Sequence, residues 1–289
     1  MALSVDFDVR SISPVIGTEV HGLDLSKPLS ADLLRWIRDT IAERIVIVFK
    51  NQDAVTPDRF VGFARSFGDD LEIHELERYR HPGVPEIFVI SNIVENGQPI
   101  GAPKVGLNWH VDHYHREFPA LYTFLHGREI PDIGGQTTYA NGFAAYEELP
   151  DDMKRRLEGM KARHSRTQMY LRLFPNATEA EVREQRALFP DILHPLVRTN
   201  PYNGRKALYL GGEAGSSIDG LPDGEGEALF AELLAWLTQP RFRYVHRWQV
   251  GDIVMSDQRG SIHRATEWDE VGQRRLIHRA TVFDDHRPY

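Results

Sequence analysis

An imidazole and a carboxylate stand two residues apart in the run Asn108-Trp109-His110-Val111-Asp112. In an extended strand, side chains at i and i+2 project to one face, whereas on a helix they diverge. The two groups can therefore act on one object only if the backbone is β, which predicts a strand through His110 and Asp112. A third ligand from elsewhere would complete two histidines and one carboxylate on one side of a metal. That set leaves coordination positions open and is typical of non-haem Fe(II) centres. Taken alone, an H-x-D tripeptide is weak, because most single histidines are hydrogen-bonded core or surface residues.

The chain contains no cysteine among its 289 residues and 13 histidines. Disulfides, a thiolate nucleophile, cysteine-held iron–sulfur clusters and thiolate-ligated haem are excluded, so a metal must be held by histidine and carboxylate. A formal charge of -8 without a basic block argues against nucleic acid. No apolar run reaches the length of a membrane span; the longest is around Ile45-Val46-Ile47-Val48-Phe49. Met1 to Asp6 lacks the basic region and apolar core of a signal peptide, so a cytoplasmic location is the default expectation.

Ser30 is a plausible N-cap for a helix carrying Leu33, Leu34, Ile37 and Ile41, followed by a strand over Ile45–Phe49. Thr56 and Pro57 open a second helix, and Glu86–Ile90 reads as a strand. Ala140 to Leu149 reads as a turn and short helix stopped by Pro150, and Asp151 to about Leu188 as a charged helical insertion. Strands then recur at Ala207–Leu210, Phe242–Trp248, Ile253–Met255 and Leu276–Phe283, with an amphipathic helix over Gly224–Leu237. Strands at both ends with helices between predict a mainly β fold, a Greek-key or jelly-roll barrel with peripheral helices, rather than a doubly wound parallel sheet. No repeat or linker divides the chain, so residues 1–289 read as a single domain.

His263, just beyond the Ile253–Met255 strand and its turn, is the best third ligand. His113 and His115 would point to the opposite face of the strand carrying Asp112; His126, His164, His194 and His246 read as packing or turn residues. Gly134-Gly135-Gln136-Thr137 is a turn that delivers a hydroxyl at the start of a strand. In Arg274 to Thr281, Arg275 and Arg279 share one strand face, with Arg274 and His278 on the other. Inward arginines need anionic partners, and guanidinium grips a carboxylate with two parallel hydrogen bonds. On charge alone, pairing with the chain's own Asp and Glu residues is the favoured reading.

With these motifs in order, the chain resembles the taurine dioxygenase family of Fe(II)- and 2-oxoglutarate-dependent oxygenases, which also includes phenoxyacetate-herbicide dioxygenases and alkylsulfatases. Matching segments are Val46–Gln52, Asn108–Asp112, Gly134–Thr137, Ala144–Tyr146, His194–Thr199, Val250–Val254, His263–Ala265 and Gln273–Thr281. The resemblance implies a double-stranded β-helix (jelly-roll) core and His110, Asp112 and His263 as iron ligands. It implies Thr137 and Arg275 for the distal carboxylate of the cosubstrate 2-oxoglutarate, and Arg279, His74 and Asn108 for the substrate. Asn108 reads equally as a packing residue. The Asp219–Asp223 segment looks closer to the phenoxyacetate branch.

The implied reaction uses molecular oxygen to convert 2-oxoglutarate to succinate and carbon dioxide while hydroxylating a small organic anion, a sulfonate or an aryloxy or alkyl carboxylate. Asp112 favours hydroxylation, since related halogenases carry a small residue there. Gln136, where relatives commonly have an acid, and Ser256-Asp257-Gln258, where they have Trp-Asp-Asn, depart from the pattern. Neither change touches an implied ligand; with Tyr114, His115 and Arg116 they leave the substrate open. A zinc hydrolase using the same three side chains, or a non-catalytic anion-binding barrel, remain as alternatives. Exposed helices leave room for a homodimer or tetramer.

Overall fold

The computed structural model describes residues 7–289 and is built mainly of β-sheet with helices packed on it. Residues 1–6, read above for a leader, lie outside the described residues. The local signals act where expected. Ser30 accepts from the Leu33 N–H to cap Ala31–Arg44, and Thr56 with Pro57 opens Pro57–Arg65. Ile45, at φ 69°, terminates the first helix, so the strand expected from Ile45 begins at Val46.

Eight strands form the main sheet, in the order Asp8–Ser11, Thr18–His21, Val46–Phe49, Ile253–Asp257, Ala120–Glu129, Leu276–Phe283, Val84–Ser91 and Arg80–His81. Only Thr18–His21 beside Val46–Phe49 is parallel. Period-two alternation gives this sheet two different faces. Ile47, Phe49, Phe124, Ile253, Met255, Ala280 and Val282 point outward and pack under the two N-terminal helices, against Ile37, Ile41, Phe60 and Phe63. Each of these buried side chains except Ala280 contributes about 1.5–3 kcal/mol. Val46, Val48, Phe88, Ile90, Leu125, Val254 and Ile277 point inward and meet Tyr139 and Trp248. Tyr139 belongs to a three-stranded sheet of Arg243–His246, Thr137–Asn141 and Ser261–Ala265, and the functional residues gather between the two sheets.

Three expectations are corrected. Among the described residues the strands form five open sheets and no closed barrel. Ala140 lies in a strand, Thr137–Asn141, and the helix that follows, Gly142–Glu147, is capped by Asn141 accepting from Ala144 N–H at 3.0 Å. The stretch 151–188 is not wholly helical, because Lys161–His164 pairs with Ile192–Pro195 and Ser216–Ile218. Apolar Ala162, fully buried between charged Lys161 and Arg163, marks that strand's period of two.

Candidate metal centre

His263 sits mid-strand in Ser261–Ala265, opposite Tyr139. His110 is joined to it by reciprocal backbone hydrogen bonds of 2.9 Å, and a second bridge ties His110 to Gly212. The backbone at His110 is therefore held by neighbours on both sides. It is not the regular strand expected over 108–112, since Asp112 already opens a turn in which His113 has φ 52°. That turn also redirects His113, whose Nε2 lies 3.1 Å from Glu72 rather than on the back of a strand.

His110, Asp112 and His263 converge: ligand-capable atoms of all three lie within 4.8 Å of one another. Nε2 of each histidine is 3.8 Å from an Asp112 carboxylate oxygen. These separations approach what ligands about 2 Å from a common ion require. His110 Nδ1–H donates to the Asn108 carbonyl at 2.8 Å, which leaves Nε2 bare toward the other two. Asp112 is held at three points. Thr123 Oγ1 donates to Oδ2 at 2.6 Å, Arg279 Nη1 donates to Oδ1 at 3.1 Å, and the Asp112 N–H donates to Gln258 Oε1 at 2.9 Å. Burial pushes the Asp112 carboxyl up, but Arg279 and the histidines outweigh it and hold it well below the usual carboxylate range. Burial, reinforced by His110, pushes His263 down to about 3, so its imidazole is neutral and can donate a lone pair.

The cluster opens into a cavity of about 50 Å³ lined by Ile90, Leu125 and Ile277 and by Thr137, Arg275 and Arg279. Arg275 is 3% exposed, and no carboxylate pairs with it among the described residues. Its guanidinium lies 4.9 Å from the Trp268 ring, and burial pushes its pKa down to about 10. Gly135, at φ 66°, must be glycine here, because an added Cβ would sit 2.9 Å from Pro131 and 3.3 Å from Arg275 Nε. Thr137 Oγ1 accepts from Trp248 Nε1–H at 3.0 Å. Self-pairing of the inward arginines thus holds for one of them only. Arg279 is bound by Glu72 and Asp112, while Arg275 has no such partner.

His74 lies outside this cavity. It lines an adjoining cleft of about 530 Å³ with His113, His115 and Arg116, its ring 4.6 Å from Phe88. Asn108 departs from the expectation: its side chain is exposed, and only its carbonyl serves the site. Gln136 turns away to accept from Thr266 Oγ1. The departures were expected to touch no ligand, yet Gln258 holds the Asp112 backbone. Thr123, Trp248, Gln258 and Glu72 were not given a role at the site from the sequence. Of these, only Gln258 carried a signal, as one of the positions departing from the pattern.

The family description "Taurine catabolism dioxygenase TauD, TfdA family" matches residues 8–281. The chain is 36% identical over 285 residues to an alpha-ketoglutarate-dependent 2,4-dichlorophenoxyacetate dioxygenase of Cupriavidus pinatubonensis, covering 95% of this chain and 96% of that protein. It is 29% identical to an alpha-ketoglutarate-dependent sulfate ester dioxygenase of Pseudomonas putida, covering 96% and 90% respectively. The crystal structure of AAD-2 in complex with Mn(II) and N-oxalylglycine superposes with a TM-score of 0.81 at 30% identity, over 99% of this chain and 100% of that one. Fold, motif order and near full-length matches agree, and the chain belongs to the taurine dioxygenase and phenoxyacetate dioxygenase family of Fe(II)- and 2-oxoglutarate-dependent oxygenases.

Proposed function

We propose that the protein is a dioxygenase that hydroxylates a small organic anion of the aryloxyalkanoate or sulfate-ester kind, with Fe(II) held by His110, Asp112 and His263. The facing sheets are read as the two halves of a double-stranded β-helix within one domain. The observation that carries the reading is Arg275, a buried guanidinium without a carboxylate in the same cavity as the His-Asp-His cluster. A charge buried unpaired costs several kcal/mol, on the order of what a single anionic ligand restores. The donor set suits Fe(II), offering two neutral imidazoles and one carboxylate with positions left open. With 2-oxoglutarate as cosubstrate, the bound metal supplies oxygen activation, giving succinate, carbon dioxide and a hydroxylated substrate.

The residues divide the remaining work. Arg275 and the Thr137 hydroxyl bind the distal carboxylate of 2-oxoglutarate. Ile90, Leu125 and Ile277 exclude water, so those contacts act at low dielectric. Thr123 and Gln258 fix the Asp112 carboxylate and backbone, and Asn108 fixes the His110 tautomer. The primary substrate enters through the outer cleft, where His74, His115 and Arg116 line the approach. Hydroxylation at a carbon bearing ether or sulfate oxygen gives an adduct that collapses with loss of the C–O bond; a sulfonate carbon loses its C–S bond in the same way.

Anaerobic addition of Fe(II) and 2-oxoglutarate is expected to give a weak visible charge-transfer band, absent with zinc and in His110→Ala. A wild-type protein without that band sinks the reading. Substrate-dependent succinate formation across candidate anions then identifies the substrate.

A further inference from the structure

Arg279 stands between the metal cavity and the outer cleft and lines both. Glu72 places both carboxylate oxygens on Arg279 Nη2, at 3.0 and 2.8 Å, and Asp112 takes Nη1 at 3.1 Å. The Phe88 ring lies 4.5 Å from the guanidinium carbon. Glu72 is itself 5% exposed and lies 3.1 Å from His113 Nε2. Burial pushes its carboxyl up, but Arg279 and His113 outweigh that and hold it well below the usual range.

The other cations of the cleft are placed differently. Arg166 is bound by both oxygens of Glu75 at 2.9 Å, and Arg116 is exposed, over the Phe283 ring. Among the described residues Arg279 is thus the least exposed guanidinium facing the cleft, with 14% of its side chain accessible, and it already serves two carboxylates. With Asp112 assigned to the metal, an incoming carboxylate would still have to share Arg279 Nη2 with both Glu72 oxygens, and two like charges on one guanidinium in a largely desolvated site are unfavourable. The Glu72 backbone N–H is tied to the Thr281 carbonyl at 2.9 Å, so a change at this position falls to the side chain, which borders the cleft.

We propose that Glu72 is a resident counter-ion on Arg279, which an anionic substrate must displace in order to bind, so that Glu72 sets the affinity of the site for anions. The proposal rests on the dioxygenase reading only in taking the substrate to be anionic. It differs in sign from a positioning role. A Glu72 that merely aimed Arg279 at the substrate would, when neutralised, weaken anion binding; a competitor, when neutralised, strengthens it.

The test is calorimetric titration of the protein, loaded anaerobically with Fe(II) and 2-oxoglutarate, with 2,4-dichlorophenoxyacetate and with its uncharged amide. In Glu72→Gln, which preserves shape, affinity for the acid is expected to rise about tenfold, with the amide unchanged. A rise of less than about threefold, a loss, or a gain shared equally by the amide overturns the proposal. Should the variant not fold, the wild type decides: an acid-over-amide preference below about threefold supports a pre-empted guanidinium, and a larger one overturns it. The visible band recorded on the same samples reports separately on the dioxygenase reading.

Discussion

Trp248 donates its indole N–H to the hydroxyl oxygen of Thr137 at 3.0 Å, across 111 residues of sequence. A threonine hydroxyl has a single proton. With its oxygen accepting from Trp248, that proton is free to turn toward an anion beside Arg275. Trp248→Phe keeps most of the ring packing and removes the donor. The KM for 2-oxoglutarate is expected to rise about three- to tenfold, the worth of one hydrogen bond, with little change in the KM for the primary substrate. Steady-state kinetics with each substrate varied in turn checks this; an unchanged 2-oxoglutarate KM shows that Thr137 needs no orienting partner.

Arg275 and Arg279 differ in what their removal should do to stability. Arg275 has no carboxylate to leave behind, so Arg275→Met exchanges a desolvated charge for an apolar side chain of similar length. The variant should be more stable than wild type by about 1 kcal/mol while losing 2-oxoglutarate affinity by about 100-fold or more. Arg279→Ala strands Glu72 and Asp112 without their cation and should cost about 3–5 kcal/mol, with weakened binding of the primary substrate. Urea unfolding and 2-oxoglutarate titration of the two variants give the comparison. Equal stability losses in both, with equal losses of both affinities, would refute this division of labour.

Thr123 is the residue through which the central strand Ala120–Glu129 reaches the cluster, donating to Asp112 Oδ2 at 2.6 Å. Thr123→Val keeps the shape and leaves that oxygen free to rotate. Metal affinity should drop about 10–100-fold, as for other losses of partners to a ligating carboxylate. Competition with a chelator measures it; unchanged affinity means that Gln258 and Arg279 suffice to hold Asp112.

What was legible in the sequence was what short-range chemistry encodes. Ser30 and Thr56 mark helix starts because a cap acts over three residues, and the shared face of Arg275 and Arg279 follows from a period of two. His263 was legible as the histidine that joins the His110–Asp112 cluster because it follows a strand and its turn. The strand Ala120–Glu129 was missed, because both its faces are buried and its residues do not alternate simply between apolar and polar. The strand expected through His110 was half right: extension there is imposed by His263 and Gly212, more than 100 residues away. Glu72, Trp248 and Gln258 act through contacts spanning 207, 111 and 146 residues, for which no local pattern exists.

Two histidines on the outer face of the main sheet are among the buried groups that limit the fold at acid pH. His278 pairs across the sheet with His126, and both are buried on the side away from the metal cavity, His126 against Phe60 and His278 against His81. Burial pushes His126 down to about 4 and His278 down to about 3, with repulsion from neighbouring His and Arg groups adding to it. An unfolded histidine titrates near 6.5, so below that value the unfolded chain binds protons that the native state refuses. The contribution of each is intact above about pH 6.5 and is lost as pH falls toward its folded value, at up to about 1.4 kcal/mol per pH unit. His278→Gln removes one of these protons from the balance. Its stability in urea should therefore fall less steeply than wild type between about pH 6.5 and 4, by about one proton's slope. Parallel curves for the two proteins over that range would mean that His278 is protonated in the native state.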